Sequence, residues 1–213
     1  MSPRRPSGRS VPLFTLLALL LPILLLPAAP AHAQTQTLLA TQDTYLKRWR
    51  PNRNQGEKRF LRVRRLGRNR TLVQFDQAEI ADAVGTGMLV SAKLRLYITF
   101  DRNIRGKDGQ KVAVHRMSQA WTEGGATWNC PDDTNTTNHR SDCTRWNMRK
   151  SSEWPFVGTP TDVILHQKGQ SGWLEWDVTA DVAQFLAGTA ENYGWLVKKV
   201  KEWRLGRVRY SSR

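Results

Sequence analysis

From Lys93 to Phe100 apolar and polar side chains alternate without a break, with Leu94, Leu96, Ile98 and Phe100 on one parity and Arg95, Tyr97 and Thr99 on the other. A strand points successive side chains to opposite faces, so this segment belongs to a sheet with one buried and one solvated surface. The same constraint recurs along the chain. Short runs of strand character fall at Asp43-Thr44-Tyr45-Leu46, 58–65, Thr71-Leu72-Val73-Gln74-Phe75-Asp76, 112–117, Thr127-Trp128-Asn129, 163–166, 173–178, 195–199 and 206–211. Turn signals separate them, among them Pro51-Asn52-Arg53-Asn54-Gln55-Gly56 and Gly67-Arg68-Asn69. Many short strands joined by turns predict an all-β protein, a β-sandwich or jelly roll. One short helix is expected at 179–186, capped by Thr179, with Val182, Phe185 and Leu186 on a common face before Gly188.

Charge is the second constraint. Between Lys47 and Arg70 lie eleven Lys or Arg residues against a single acid, Glu57. Within that run Leu61 and Val63 share one parity and Arg62 and Arg64 the other, so a strand there turns its arginines outward. Arg95 and Tyr97 project from the alternating strand, and Arg207 and Arg209 alternate with Val208 and Tyr210 near the chain's end. Two positions along a strand span roughly 6.6 Å, the order of the charge spacing on an acidic sugar chain. Arginine stays charged and offers planar, bidentate donors to carboxylate or sulfate. Arg62, Arg64, Arg95, Tyr97, Arg207 and Arg209 are therefore the candidate ligand-binding set. They are expected to merge into one cationic surface; the plain alternative is a solvated surface that keeps the protein soluble.

The chain carries nine tryptophans. Trp176 alternates with Leu174 and Val178 as a core residue would. Trp49, Trp146, Trp154 and Trp203 lie in loops or between charges, where stacking on a sugar ring competes with packing.

Residues 1–33 have the order of a signal peptide: Arg4, Arg5 and Arg9, an apolar stretch over 11–26, then Ala31-His32-Ala33 as an A-x-A cleavage site. An uncleaved anchor is the alternative, since about 20 apolar residues span a bilayer. Pro22, Pro27 and Pro30 favour cleavage. The thirty-three basic residues less these three arginines, against eighteen acids, leave residues 34–213 with a net charge of +12. That length suits one domain. Cys130 and Cys143 are the only cysteines, both in a polar stretch. A disulfide is the default in an oxidising compartment; two free thiols, or a metal site using His139, remain as alternatives. The irregular stretch 130–160 is expected to be ordered by that bridge and by Trp146 and Trp154.

Several segments in order resemble a known family: Asp43-Thr44-Tyr45-Leu46, Leu72-Val73-Gln74-Phe75-Asp76, Val90-Ser91-Ala92-Lys93-Leu94-Arg95-Leu96, Trp121-Thr122-Glu123 with Thr127-Trp128-Asn129, Trp176-Asp177-Val178-Thr179, Asn192-Tyr193-Gly194-Trp195 and Tyr210-Ser211-Ser212-Arg213. The set is similar to the DNRLRE-domain proteins, a group related to family 96 carbohydrate-binding modules. That resemblance implies a jelly-roll sandwich that binds polysaccharide, with alginate-like uronate chains as the associated ligand class. The family pattern continues past Arg213 with an acidic residue and one more strand, which would leave the last strand missing here. No cofactor is expected, apart from a structural calcium ion that such modules often hold through oxygen ligands. Asp43, Asp76 and Asp177 are the acids on matched motifs, with Asp177 read more simply as a local cap.

Catalytic signatures are lacking. Asp132 and Asp133 are adjacent loop residues, Glu123 and Glu175 are far apart in sequence, and His115, His139 and His166 have no pattern of an acid–base pair. The expected function is non-catalytic binding of an acidic polysaccharide by a secreted module, extracellular or periplasmic. The first rival is a structural or interaction protein of the envelope or matrix, docking through an open sheet edge. The second is sequence-independent adhesion to nucleic acid, for which no recognition motif is present.

Overall fold

The computed structural model describes residues 34–65, 68–102, 104 and 109–213; the leader assigned to 1–33 lies outside them. The described residues form nine strands: β1 (Gln42–Lys47), β2 (Phe60–Arg64), β3 (Asn69–Gln74), β4 (Lys93–Arg102), β5 (Gln110–Arg116), β6 (Asp162–His166), β7 (Gly172–Asp177), β8 (Trp195–Lys199) and β9 (Arg207–Ser211). Hydrogen bonding runs β6-β5-β8-β3-β2-β9-β4-β7, with β1 on the free side of β3, and every pairing is antiparallel. β2 and β3 share only the pair Arg64–Asn69. There the sheet folds over into two leaves, β1-β3-β8-β5-β6 and β2-β9-β4-β7. On the opposite side β6 and β7 come together, and Asp162 accepts the Asp177 N–H at 2.9 Å. The result is an all-β sandwich closed almost into a barrel.

Two α-helices accompany the strands among the described residues, one more than the sequence predicts. α1 (Gln77–Val84) follows β3, and its start is fixed by Asp76, whose Oδ1 accepts from the N–H groups of Ala78 and Glu79. α2 (Thr179–Leu186) lies where expected and buries Val182 and Phe185, but its cap residue is Val178. The Thr179 hydroxyl instead accepts from the Ala92 N–H at 2.9 Å, tying the helix to the start of β4. Asp177 does act locally, accepting the Thr179 N–H. The stretch Thr127-Trp128-Asn129 is not a strand; the Thr127 hydroxyl accepts from Cys130 N–H and turns the chain there.

The two leaves differ in what covers them. Between them lies a core of Leu61, Val63, Leu94, Leu96, Ile98, Val112, Val114, Leu174, Trp176, Val197, Val208 and Tyr210. The far face of the first leaf carries a second core, in which Leu46, Leu72 and Leu196 pack under Trp121, Trp128, Trp146, Met148 and Phe156. Covered on both sides, β8 opens with an unbroken apolar run, Trp195-Leu196-Val197, whereas β4 and β7 alternate because one face stays open. The irregular stretch is thus a lid over the first leaf. Trp121 Nε1 donates to the Tyr193 carbonyl and Trp146 Nε1 to that of Trp128. The expected Cys130–Cys143 disulfide is present and contributes roughly 3 kcal/mol by loop closure.

Gly194 sits at φ 71°, and a Cβ there would lie 2.2 Å from the Val73 carbonyl oxygen. Both the left-handed backbone and the close approach of β3 demand glycine before Trp195. Gly194→Ala is expected to lower stability by more than about 2 kcal/mol in urea denaturation. His115 lies in the second core against Phe156, with Nδ1 2.9 Å from the Val157 carbonyl oxygen. Burial pushes its pKa down to about 4, against a smaller opposing effect of that carbonyl. The unfolded chain therefore takes up the proton first as pH falls. Stability should decline by about 2–3 kcal/mol between roughly pH 6.5 and pH 4. His115→Gln should flatten that limb of a pH–stability curve.

Candidate functional site

The open face of the second leaf is built by the outward parity of β2, β9, β4 and β7. Across β2 and β9, Arg62 lies directly opposite Arg209, and Arg64 opposite Arg207. Like charges in that relation repel. A β-bulge between Ile98 and Phe100 extends the array to the third strand by shifting the register of β4 against β9. Ile98 faces the core, as expected, but Phe100 does not. The bulge re-aims it beside Arg209 and brings Arg102 opposite Arg207. Two rows result, Arg64–Arg207–Arg102 and Arg62–Arg209–Phe100, with strands about 4.8 Å apart.

Aromatic rings hold these guanidiniums in place. Arg209 lies over Phe60 at 4.5 Å and over Phe100 at 5.4 Å, and Arg207 over Phe100 at 4.7 Å. Arg62 lies over Phe60 at 4.8 Å and over Tyr45 of β1 at 5.1 Å, while Tyr45 itself stacks on Phe60. Such contacts contribute about 0.5–2 kcal/mol each. Among the described residues none of Arg62, Arg64, Arg207 and Arg209 makes a salt bridge. Arg62 is only 9% exposed. Burial first, then the charges of Arg209, Arg207 and Arg64, hold its guanidinium below its ordinary range, partly offset by Tyr45. Arg207 is shifted the same way by desolvation and by Arg209, Arg64 and Arg102.

Arg95 and Tyr97 lie on the same face but form a different surface. Arg95 is opposite Glu175 on β7 and bonds it at 2.8 Å, so its charge is already compensated. Lys93 reaches the same carboxylate at 3.2 Å. Tyr97 is opposite Trp173, their rings edge to face at 5.3 Å, and both stay exposed at 43% and 53%. Arg95 lies over Trp173 at 4.8 Å. All six candidate residues therefore share one face, divided into an uncompensated arginine zone and an aromatic platform.

Trp173, Phe60, Phe100 and Arg102 are the members not singled out from sequence. Trp173 and Phe60 could have been found by parity, since they match Glu175 and Arg62. Phe100 and Arg102 depend on the bulge, which no residue pattern marks. Of the loop tryptophans, Trp146 is buried and Trp154 stacks on Phe156, whereas Trp49 and Trp203 are exposed. Arg70, the last residue of the basic run, is buried and bound bidentately to Glu202 with both contacts at 2.9 Å. The three aspartates considered for calcium are each engaged locally. Asp43 accepts from Ser212 and from the Arg213 N–H, Asp76 caps α1, and Asp177 bonds Thr179. Among the described residues no three His, Cys, Asp or Glu side chains group to hold a metal ion, and no helix is long and apolar enough to cross a membrane.

The family model of carbohydrate-binding module family 96 matches residues 34–145. The match takes in β1 to β5, the first part of the lid and its disulfide, and with them Arg62, Arg64, Arg95 and Tyr97; Trp146, Met148 and Phe156 of the lid, and Arg207 and Arg209, lie beyond it. No curated protein matches the chain.

If the rings restrain the arginine repulsion, removing them should expose it. Phe60→Ala with Phe100→Ala is expected to cost about 2–4 kcal/mol at low salt. Part of that loss should return in high salt, where repulsion is screened. Urea denaturation at two sodium chloride concentrations measures both terms.

Proposed function

The chain belongs to carbohydrate-binding module family 96, and from that membership we propose that its open leaf binds an acidic polysaccharide without transforming it. The observation that carries this reading is the double row of arginines, which lacks acidic partners among the described residues. Direct like-charge pairs cost stability in the free protein. A chain of carboxylates or sulfates laid across them removes that repulsion and gains charge-assisted hydrogen bonds.

The roles divide along the face. Arg64, Arg207 and Arg209, half-buried and stacked or flanked by charge, receive the anionic substituents. Arg62, packed under them, supplies charge more than contact. Tyr97 and Trp173 offer apolar ring surface to the C–H face of a sugar. A uronate chain of the alginate type suits both halves, because each residue carries one carboxylate and one ring. The disulfide and the signal-like leader support a role outside the cytoplasm.

Affinity for polyuronate should fall as salt rises, and a neutral glucan of equal length should not be retained. Arg64→Gln with Arg207→Gln should weaken polyuronate binding at least tenfold. The same substitutions should leave the low-salt melting temperature unchanged or higher, because they remove a like-charge pair. Calorimetric titration and thermal melts test both. Equal retention of neutral and acidic glycans would refute the proposal.

A further inference from the structure

Beside β1 the protein has a recess of about 320 Å³ lined by Arg50, Pro51, Asn52, Arg53 and His139. It forms where the crossover from β1 to β2 meets the disulfide loop, and it lies outside the open face described above. Asn52 builds it. Its Nδ2 donates to the His139 carbonyl at 2.9 Å, while its Oδ1 accepts from Asn129 Nδ2 at 2.6 Å and from the Ser141 hydroxyl at 2.8 Å. The Asn129 N–H also donates to the Pro51 carbonyl, and that of Arg53 to Arg50. His139 is held at φ 59° inside the loop closed by Cys130–Cys143. The walls thus carry two guanidiniums and an imidazole, and no carboxylate.

This recess is electrostatically continuous with the arginine rows. Lys47 ends β1, and its ammonium is held below its ordinary range by burial and then by Arg50, Arg62, Arg53 and Arg64. It therefore feels the recess and the rows together. Tyr45, two residues back, supports Arg62 on one side and bonds Gln55 of the crossover on the other, at 2.9 Å. Lys47 and Arg64 both stand in register with Asn69, so the end of β1 that leads to Arg50 and Arg53 lies beside the arginine rows.

We propose that the recess is a second anion subsite, receiving a carboxylate or sulfate substituent further along the same glycan that crosses the arginine rows. This rests on the open face being the glycan site. Two separated anion loci on a rigid body make affinity depend on chain length, since only a chain long enough to turn the edge engages both. Lys47 keeps the intervening segment electropositive.

The test is a length series of oligouronates and a matched series of sulfated oligosaccharides, from disaccharide to decasaccharide, titrated into the protein by calorimetry. In the wild type, affinity should rise a second time at the length that reaches the recess, in whichever series carries the preferred substituent. In Arg50→Ala with Arg53→Ala the long chains should bind about tenfold more weakly and the short ones as in the wild type. Unchanged affinity for long chains in that variant, or equal loss at every length, would overturn the subsite. Binding of short chains with no second rise sinks the recess alone, whereas no binding in either series sinks the open-face reading with it. Sodium sulfate supplies a check without glycan. The His139 ring signals in NMR should shift on titration in the wild type and stay fixed in the variant, and fixed signals in both would count against the subsite.

Discussion

Arg62 against Arg209 and Arg64 against Arg207, directly opposed across two hydrogen-bonded strands, set the terms for this leaf. Such pairs persist only where something offsets their repulsion, and here the offset is aromatic. Phe60 and Phe100 lie under three of the four guanidiniums, with Tyr45 supporting Arg62 from the neighbouring leaf. The rings contribute dispersion and cation–π attraction, and they also fix each guanidinium in a narrow range of positions. A surface of solvated arginines would lose side-chain entropy on meeting a ligand. Arg62, Arg207 and Arg209 are already held against rings, so on the proposed reading an anion would meet a partly prepared site.

Strand parity made much of this legible. The outward sets Arg62/Arg64, Arg95/Tyr97 and Arg207/Arg209 follow from period two alone, and the strands lie close to the expected segments. Their convergence depends on β9 inserting between β2 and β4, a non-local pairing that no local pattern specifies. The bulge in β4 was equally hidden, because unbroken alternation from Leu94 to Phe100 conceals the register shift that turns Phe100 outward. α1 was missed although Asp76 and Glu79 stand three apart at its start, since the apolar character of Leu72 to Phe75 reads as a strand running on. Charge density misled in one respect. Arg70 belongs by sequence to the basic run but by structure to the second core, where Glu202 compensates it.

Why the second leaf is the exposed one follows from the lid. Trp121, Trp128, Trp146, Met148 and Phe156 cover the outer face of β1, β3, β8 and β5, and the disulfide closes the loop between Trp128 and Trp146. A sandwich has two outer faces, and burying one behind its own chain leaves the other as the broad sheet surface open to a polymer. The same lid supplies His139 and Asn129 to the recess beside β1. Stability and the shape of that edge are therefore coupled through one segment: the tryptophans that seal the first leaf anchor the loop that lines the recess.

The division of the open face has a consequence for selectivity. The arginine rows alone would accept any polyanion, because counterion release does not distinguish a sugar from a phosphate chain. Discrimination has to come from groups that recognise a ring, and Tyr97 with Trp173 present theirs edge to face rather than as one flat plate. Arg95 is neutralised by Glu175 and stacked on Trp173, so it stiffens this platform instead of adding to the field. A flexible phosphate chain gains nothing there. On the proposed reading a pyranose chain gains apolar contact at the same time as its carboxylates reach the rows, and that simultaneity would separate a glycan site from a merely basic surface.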